Sequence, residues 1–334
     1  MYNLKKYKYL TSLLSAFVLL SYQIIQIQAD PLPSWDDGKS KQNILTFVNE
    51  VTSDSHPSYV PPEERIATFD NDGTLWAEKP IDCQVMFIFS RVFELEKEHP
   101  DWQGIQPFKA VLRNDTKYLE NLGNPKFECQ LKDLILATYS GMHQGVFQEL
   151  VSTFLINTEH PRFKVKYTEV VYQPMLELLD FLRGNDFKLF ICTGGGVDFV
   201  RAFSESVYGI PRENVIGASV KYEFLETDNV IFRKMEINSK NDNKSKPENI
   251  QLHIGRIPVI AVGNSDGDLQ MLKYTDAGKG PSLKVLLHHD DAEREYDYDK
   301  GTKEAIRVAK EQNWTIVSIK DDFKRVFPFE KERN

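Results

Sequence analysis

Three short runs, "IATF" at 66–69, "FKLFIC" at 187–192 and "IPVIAV" at 257–262, are apolar at nearly every position and stop abruptly at polar, turn-forming residues. A strand with one wet face alternates apolar and polar residues. A strand that is apolar throughout is covered on both faces, as in a parallel sheet held between helices. Helical periods flank these runs: "QPMLELLDFLRG" precedes the second, "GVDFVRAFSESVYG" follows it and "KPENIQLHI" precedes the third. "NVIGASV" and "SLKVLLHHDD" read as further strands, the latter as the last one. "YEFLETDNVIFRKMEI" reads as a hairpin turning at Asp228 and Asn229. Together they predict an α/β fold with a parallel sheet between helical layers.

Between Trp76 and Val165 the strand pattern vanishes. "DCQVMFIFSRVFELEKEH", "QPFKAVLRN" and "QGVFQELVSTFL" carry helical periods, separated by turns such as "LGNPKF". The segment 76–165 reads as a helical insertion after the first strand, set into a core made of 30–75 and 166–334. Residues 30–43 read as a polar loop, with a helix from Ile44. Further upstream, Lys5, Lys6 and Lys8 precede an apolar stretch from Leu10 to Ile25, and Ala29 is a small residue at the cleavage position. Residues 1–29 therefore read as a signal peptide, which predicts a secreted or periplasmic protein. An uncleaved membrane anchor is the alternative, supported by the bulky Ile27. The stretch is short and polar beside the about 20 apolar residues of a spanning helix.

A net charge of −8 without clustered Lys and Arg argues against a nucleic-acid partner. Three cysteines are too few for a disulfide framework. In an exported chain Cys83 and Cys129 are an open pair, and Cys192, inside an apolar strand, reads as a buried thiol.

Open parallel sheets bind ligands at the carboxyl ends of their strands. Those ends read Asp70-Asn71-Asp72-Gly73-Thr74, Thr193-Gly194-Gly195-Gly196 and Gly263-Asn264-Ser265-Asp266-Gly267-Asp268, and one helix opens on Lys246. Isolated charges are expensive to bury, so paired acids at a strand end need a task or a metal. Phosphoryl transfer supplies one. A carboxylate attacks phosphorus and forms an aspartyl-phosphate. A hard cation such as Mg²⁺ and the Lys246 ammonium offset the phosphate charge. Thr193 and the glycine amides donate hydrogen bonds to its oxygens. Asp72 protonates the leaving oxygen and later deprotonates water.

In these residues the chain resembles the haloacid dehalogenase (HAD) superfamily, in its phosphoserine-phosphatase-like branch. "DNDGT" is similar to the DxDGT first motif, "FICTGGG" to the second, "KPENI" to the lysine-bearing third, and "VIAVGNSDGDLQML" to the fourth, in the family's order. The resemblance implies a Rossmann-like three-layer core with the insertion as a helical C1 cap. It makes Asp70 the nucleophile, Asp72 the general acid/base, and Thr193, Gly194 and Lys246 the phosphate binders. It implies a Mg²⁺ site from Asp70, the Asp72 backbone carbonyl, Asn264 and Asp268. Asn264 departs from the family, which places Asp directly after that glycine, and Asp266 is the other acid within the loop.

The expected function is an exported, Mg²⁺-dependent phosphomonoesterase acting on small phosphate esters, phosphoserine-phosphatase-like or of the nonspecific acid type. The alternatives are a phosphotransferase or phosphomutase using the same aspartyl-phosphate, and a catalytically silent secreted binding protein with the same fold. His288 and His289 read as partly exposed neighbours of the site. Glu78, Lys79 and the loop around His143 are candidate entrance residues, and "EYDYDKGTKE" reads as solvated surface. Asn114, Asn243 and Asn313 head glycosylation sequons.

Overall fold

The strand leading to Asp70, β1 (Ile66–Phe69), is buried at every position. The computed structural model that contains it describes residues 29–122 and 125–330. The chain divides into two units, Met1–Pro31 and Leu32–Asn334, and every element below belongs to the second. All but the last residue of the expected signal peptide lie outside the described residues. Among those described, no helix is long and apolar enough to cross a membrane.

In chain order the main elements are α1 (Lys39–Thr52), β1, α2 (Cys83–Leu95), α3 (Glu128–Tyr139), β2 (Met142–His143), α4 (Gln144–Asn157), α5 (Gln173–Gly184), β3 (Lys188–Gly196) and α6 (Val197–Arg201). After these come β4 (Val215–Leu225), β5 (Val230–Ser239), α7 (Ser245–His253), β6 (Ile260–Gly263), α8 (Leu269–Tyr274), β7 (Leu283–His288), α9 (Lys303–Glu311) and β8 (Thr315–Ser318). Eight strands form one sheet in the order β2-β5-β4-β3-β1-β6-β7-β8. Neighbours from β4 to β8 are parallel, whereas β5 and β2 join antiparallel at one edge.

The apolar strands are solid because successive residues serve two different cores. Ile260 and Val262 join a cluster with residues of α1 and α5, while Ala261 between them joins a second cluster with residues of α7, α8 and α9. Side chains of a strand alternate between faces, so a sheet covered on both sides needs no polar position. The fold is therefore the predicted α/β class with a mostly parallel sheet. Register brings three strand ends side by side: Phe69 lies opposite Ile191 and Val262, and Asp70 N donates to Val262 O at 2.9 Å.

Several local expectations change. The strand expected at 214–220 and the first hairpin arm are one strand, β4. A further strand, β8, follows the expected last one. Met142 and His143 form a two-residue strand on β5, too short for any period to reveal. The helix expected from Ile44 begins at Lys39. Within the expected loop Trp35 is fully buried, its Nε1 donating to Pro174 O at 2.9 Å. Thr193–Gly196, expected as a turn, continues β3. Cys83, Cys129 and Cys192 are free thiols, with Cys83 and Cys192 buried and Cys129 exposed. Asn114, Asn243 and Asn313 all occupy the left-handed region, at φ 53°, 51° and 53°. Asparagine tolerates that region better than most residues, so these turns account for the residue type.

Phe87 ties the helices of 83–157 to the rest of the unit. It is buried on α2 and packs edge-on against Tyr139, Phe147 and Phe154, with Phe199 of α6 at 5.7 Å between ring centroids. Phe87→Ala is expected to cost about 3–5 kcal/mol, read as a lower urea midpoint with an unchanged slope.

Candidate active site

Asp70, the first residue beyond β1, is buried and faces a buried ammonium. Lys246, at the second position of α7, donates to Asp70 Oδ1 at 2.6 Å, to Asp268 Oδ1 at 2.6 Å and to the Cys192 carbonyl at 2.8 Å. An ammonium has three protons, and all three are spent. Although Lys240 and Lys244 flank it in the sequence, Lys246 is 2 % exposed. Burial pulls its pKa down, but the carboxylates of Asp268 and Asp70 outweigh that and raise it, so it stays charged. Asp70 is driven well above the usual carboxylate range by burial first and the neighbouring Asp268 next, with Lys246 opposing.

Asp268 is equally committed. Its Oδ2 accepts from the backbone amides of Asn264 and Ser265, both at 3.0 Å, and from Ser265 Oγ at 3.1 Å. These bonds fold the 263–268 loop against Lys246. Asp266 is drawn elsewhere, its Oδ1 accepting from the Ala305 amide of α9 at 2.7 Å.

Asp72 sits on the loop after Asp70 and is half-buried. Its Oδ1 accepts from Trp76 Nε1 at 2.7 Å and from Asn71 Nδ2 at 3.2 Å, and its Oδ2 accepts from Thr193 Oγ1 at 3.3 Å. Burial raises its pKa, with Trp76 opposing. The Gly195 and Gly196 amides already donate, to Thr193 Oγ1 at 2.9 Å and to Gln84 Oε1 at 2.8 Å. The Gly194 amide has no such side-chain partner among the described residues. Asp70, Asp72, Thr193, Lys246, Asn264 and Asp268 are thus gathered at the carboxyl ends of β1, β3 and β6.

Asn264 is 1 % exposed. Its Oδ1 accepts from Thr74 Oγ1 at 3.3 Å, and its Nδ2 donates to Glu78 Oε1 at 3.3 Å. Gly73 makes room for it. At φ 74° a side chain would be strained, and a Cβ there would stand 2.1 Å from Asn264 Nδ2.

A family model described as haloacid dehalogenase-like hydrolase matches residues 67–273, the span that carries all of these strand ends. The chain belongs to that family. Among solved structures, a conserved functionally unknown protein from Anaerococcus prevotii is similar at 14 % identity, over 86 % of this chain and 93 % of that one, with a TM-score of 0.57. At that identity the likeness shows the fold alone. A phosphoserine phosphohydrolase-like protein from Francisella tularensis aligns at 19 % identity, over 67 % of this chain and 87 % of that one, with a TM-score of 0.38. No curated protein sequence matches the chain.

The haloacid dehalogenase-like loop of 70–74 is held from behind by residues the sequence hid. His289, expected to be partly exposed, is buried; its Nε2 donates to the Gly73 carbonyl at 2.8 Å. A carbonyl only accepts, so Nε2 carries the proton. His289 Nδ1 shares a proton with Glu295 Oε2 at 3.0 Å, and Tyr172 Oη donates to Glu295 Oε1 at 3.2 Å. Glu295 opens the stretch expected as solvated surface, yet it is fully buried. Three residues on, Tyr298 stacks on His289 with centroids 4.5 Å apart and donates to Glu78 Oε1 at 2.5 Å. The "HHDD" at the end of β7 was the available signal; the acidic run that follows concealed the partner. His288 is only partly covered and pairs with Asp299 at 3.4 Å.

His289→Ala takes the imidazole from buried Glu295, which keeps only neutral donors such as Tyr172, and frees the Gly73 carbonyl. It is expected to cost about 3–5 kcal/mol in chemical denaturation, whereas His289→Asn, which keeps a donor, costs less.

Proposed function

We propose that this chain is a phosphomonoesterase that works through an aspartyl-phosphate on Asp70. The observation that carries the reading is the buried Lys246 shared between Asp70 and Asp268, set beside Asp72 and Thr193. In Asp70, Oδ1 accepts from Lys246, and Oδ2 makes no hydrogen bond among the described residues. That oxygen is the nucleophile: it forms a bond to phosphorus as the bond from phosphorus to the ester oxygen breaks. Asp72, its pKa raised by burial, gives its proton to the departing oxygen. It then takes a proton from the water that opens the acyl phosphate at phosphorus. The Thr193 hydroxyl, released from Asp72, and the Gly194 amide hydrogen-bond the phosphoryl oxygens. Lys246 supplies fixed positive charge next to them.

The donor set fits a hard divalent cation. Asp268 and Asp72 repel Asp70, and Glu78 repels Asp72 and Asp82; with burial, this repulsion raises the pKa values of Asp70, Asp72 and Asp82. Among the described residues no three His, Cys, Asp or Glu side chains form a ready cage. Mg²⁺ needs none: it takes one or two carboxylates and keeps several waters. Asp70, the Asp72 carbonyl and the Asn264 amide oxygen would hold it, with Asp268 in support. When bound, the ion neutralises charge on the transferring phosphoryl group. The basic and apolar start of the sequence supports export of the mature chain.

Asp70→Asn is expected to lower p-nitrophenyl phosphate turnover by roughly a thousandfold or more with the circular-dichroism spectrum retained. Turnover near the parent level would remove Asp70 from its role. Dialysis against EDTA is expected to abolish turnover and added Mg²⁺ to restore it; full activity in EDTA would remove the metal from the reading.

A further inference from the structure

Beside the catalytic carboxylates lies a cavity of about 690 Å³ that the phosphoryl steps above touch only at Gly194. Its floor is Gly194 and Gly196 at the end of β3, and residues of α3, α6 and the β4–β5 hairpin wall it. Gly195 separates it from Asp72. A Cβ on Gly195 would lie 2.7 Å from Gln84 Oε1 and 3.7 Å from Asp72 Oδ2. The missing side chain therefore leaves the cavity and the general acid about one methyl group apart.

The wall is mostly apolar, formed in part by Leu131, Ile135, Phe199, Val220 and Ile237. Two buried polar groups lining it have unused capacity. Tyr139 is 2 % exposed, and among the described residues no group meets its hydroxyl with hydrogen-bond geometry, although the Gln84 side chain lies close and Asp82, Cys83 and Arg233 also act on it. Arg233, also 2 % exposed, donates from Nε to the Tyr139 carbonyl at 2.6 Å and from Nη1 to Gln144 Oε1 at 2.7 Å and to Asp198. Its Nη2 donates to nothing among the described residues. A buried hydroxyl without a bond is unfavourable, and a bound group removes that cost by accepting from it. Charge is balanced, since Asp198 offsets Arg233, and Glu128 on α3 pairs with Lys240. A zwitterion the size of serine leaves most of this volume unfilled.

We propose that this cavity takes the alcohol part of the ester. The substrate class is then a phosphate monoester of a bulky alcohol that carries a flat, largely apolar ring with a hydrogen-bond acceptor. Tyr139 and Arg233 recognise the acceptor, and the aliphatic wall packs on the ring. The inference rests on the phosphomonoesterase reading and adds its specificity.

The test compares kcat/KM for adenosine 5′-monophosphate and O-phosphoserine with the full chain and Mg²⁺. Both are esters of primary alcohols, so the leaving groups are chemically matched. The expected ratio is about tenfold or more in favour of the nucleotide. Ile135→Trp, which fills the cavity, is expected to lower that ratio by about tenfold. Tyr139→Phe is expected to lower it roughly threefold, through KM rather than kcat. The ratio is internal to each variant, so a smaller folded fraction cancels. A parent ratio at or below one, or a ratio that neither variant moves, overturns the cavity assignment while the enzyme reading stands. Hydrolysis of neither ester, nor of p-nitrophenyl phosphate, overturns both.

Discussion

A lysine ammonium locked between two carboxylates inside the protein is the contact on which the site depends. Taking an ammonium out of water costs several kcal/mol even after the surroundings relax. One carboxylate at about 4 Å returns roughly 4 kcal/mol at an effective dielectric of 20, about enough to break even. Lys246 has two, Asp70 and Asp268, and a backbone carbonyl for its third proton. The arrangement holds only if α7, β1 and the 263–268 loop meet at one point. Parallel register brings the ends of β1, β3 and β6 to the same level and makes that meeting possible.

The same contact divides the labour among the acids. Asp268 is fixed on both oxygens and works as a brace, while Asp70 keeps one oxygen without a hydrogen-bond partner among the described residues. Asp72 is tied firmly to Trp76 at 2.7 Å and more loosely to Thr193 at 3.3 Å, the longer bond being the one a substrate can displace. Behind them, His289 and Glu295 hold the carbonyl of Gly73, the residue whose left-handed backbone turns the loop away from the strand. A rigid rear support with a more open front suits a site that must hold its nucleophile still while ligands come and go.

Much of the core was readable in the sequence because burial on both faces of a parallel strand leaves an uninterrupted apolar signature. Ile66–Phe69 and Ile260–Gly263 carry it plainly, and the polar residues that end them mark the ligand edge. Lys246 was legible only by its position at a helix start, since nothing local distinguishes it from Lys244. The support around Glu295 was not legible. Its burial comes from Tyr172 and His289, and the acidic neighbours that follow it look like surface. Trp35 and the strand at Met142–His143 failed for a related reason: one aromatic residue or two strand residues set no period, and their partners, Pro174 and β5, are distant in the chain. Asn264 was noticed as a departure, but its fit against Gly73 and Glu78 needed three dimensions.

The central claim is a covalent bond between Asp70 and phosphorus. Acid quenching of the enzyme during turnover of a ³²P-labelled ester, followed by borohydride reduction and peptide mass mapping, tests it most directly. The account predicts radiolabel retained on the quenched protein and reduction of Asp70 to homoserine. Steady turnover with no labelled protein, or a label that maps to any other residue, would contradict it.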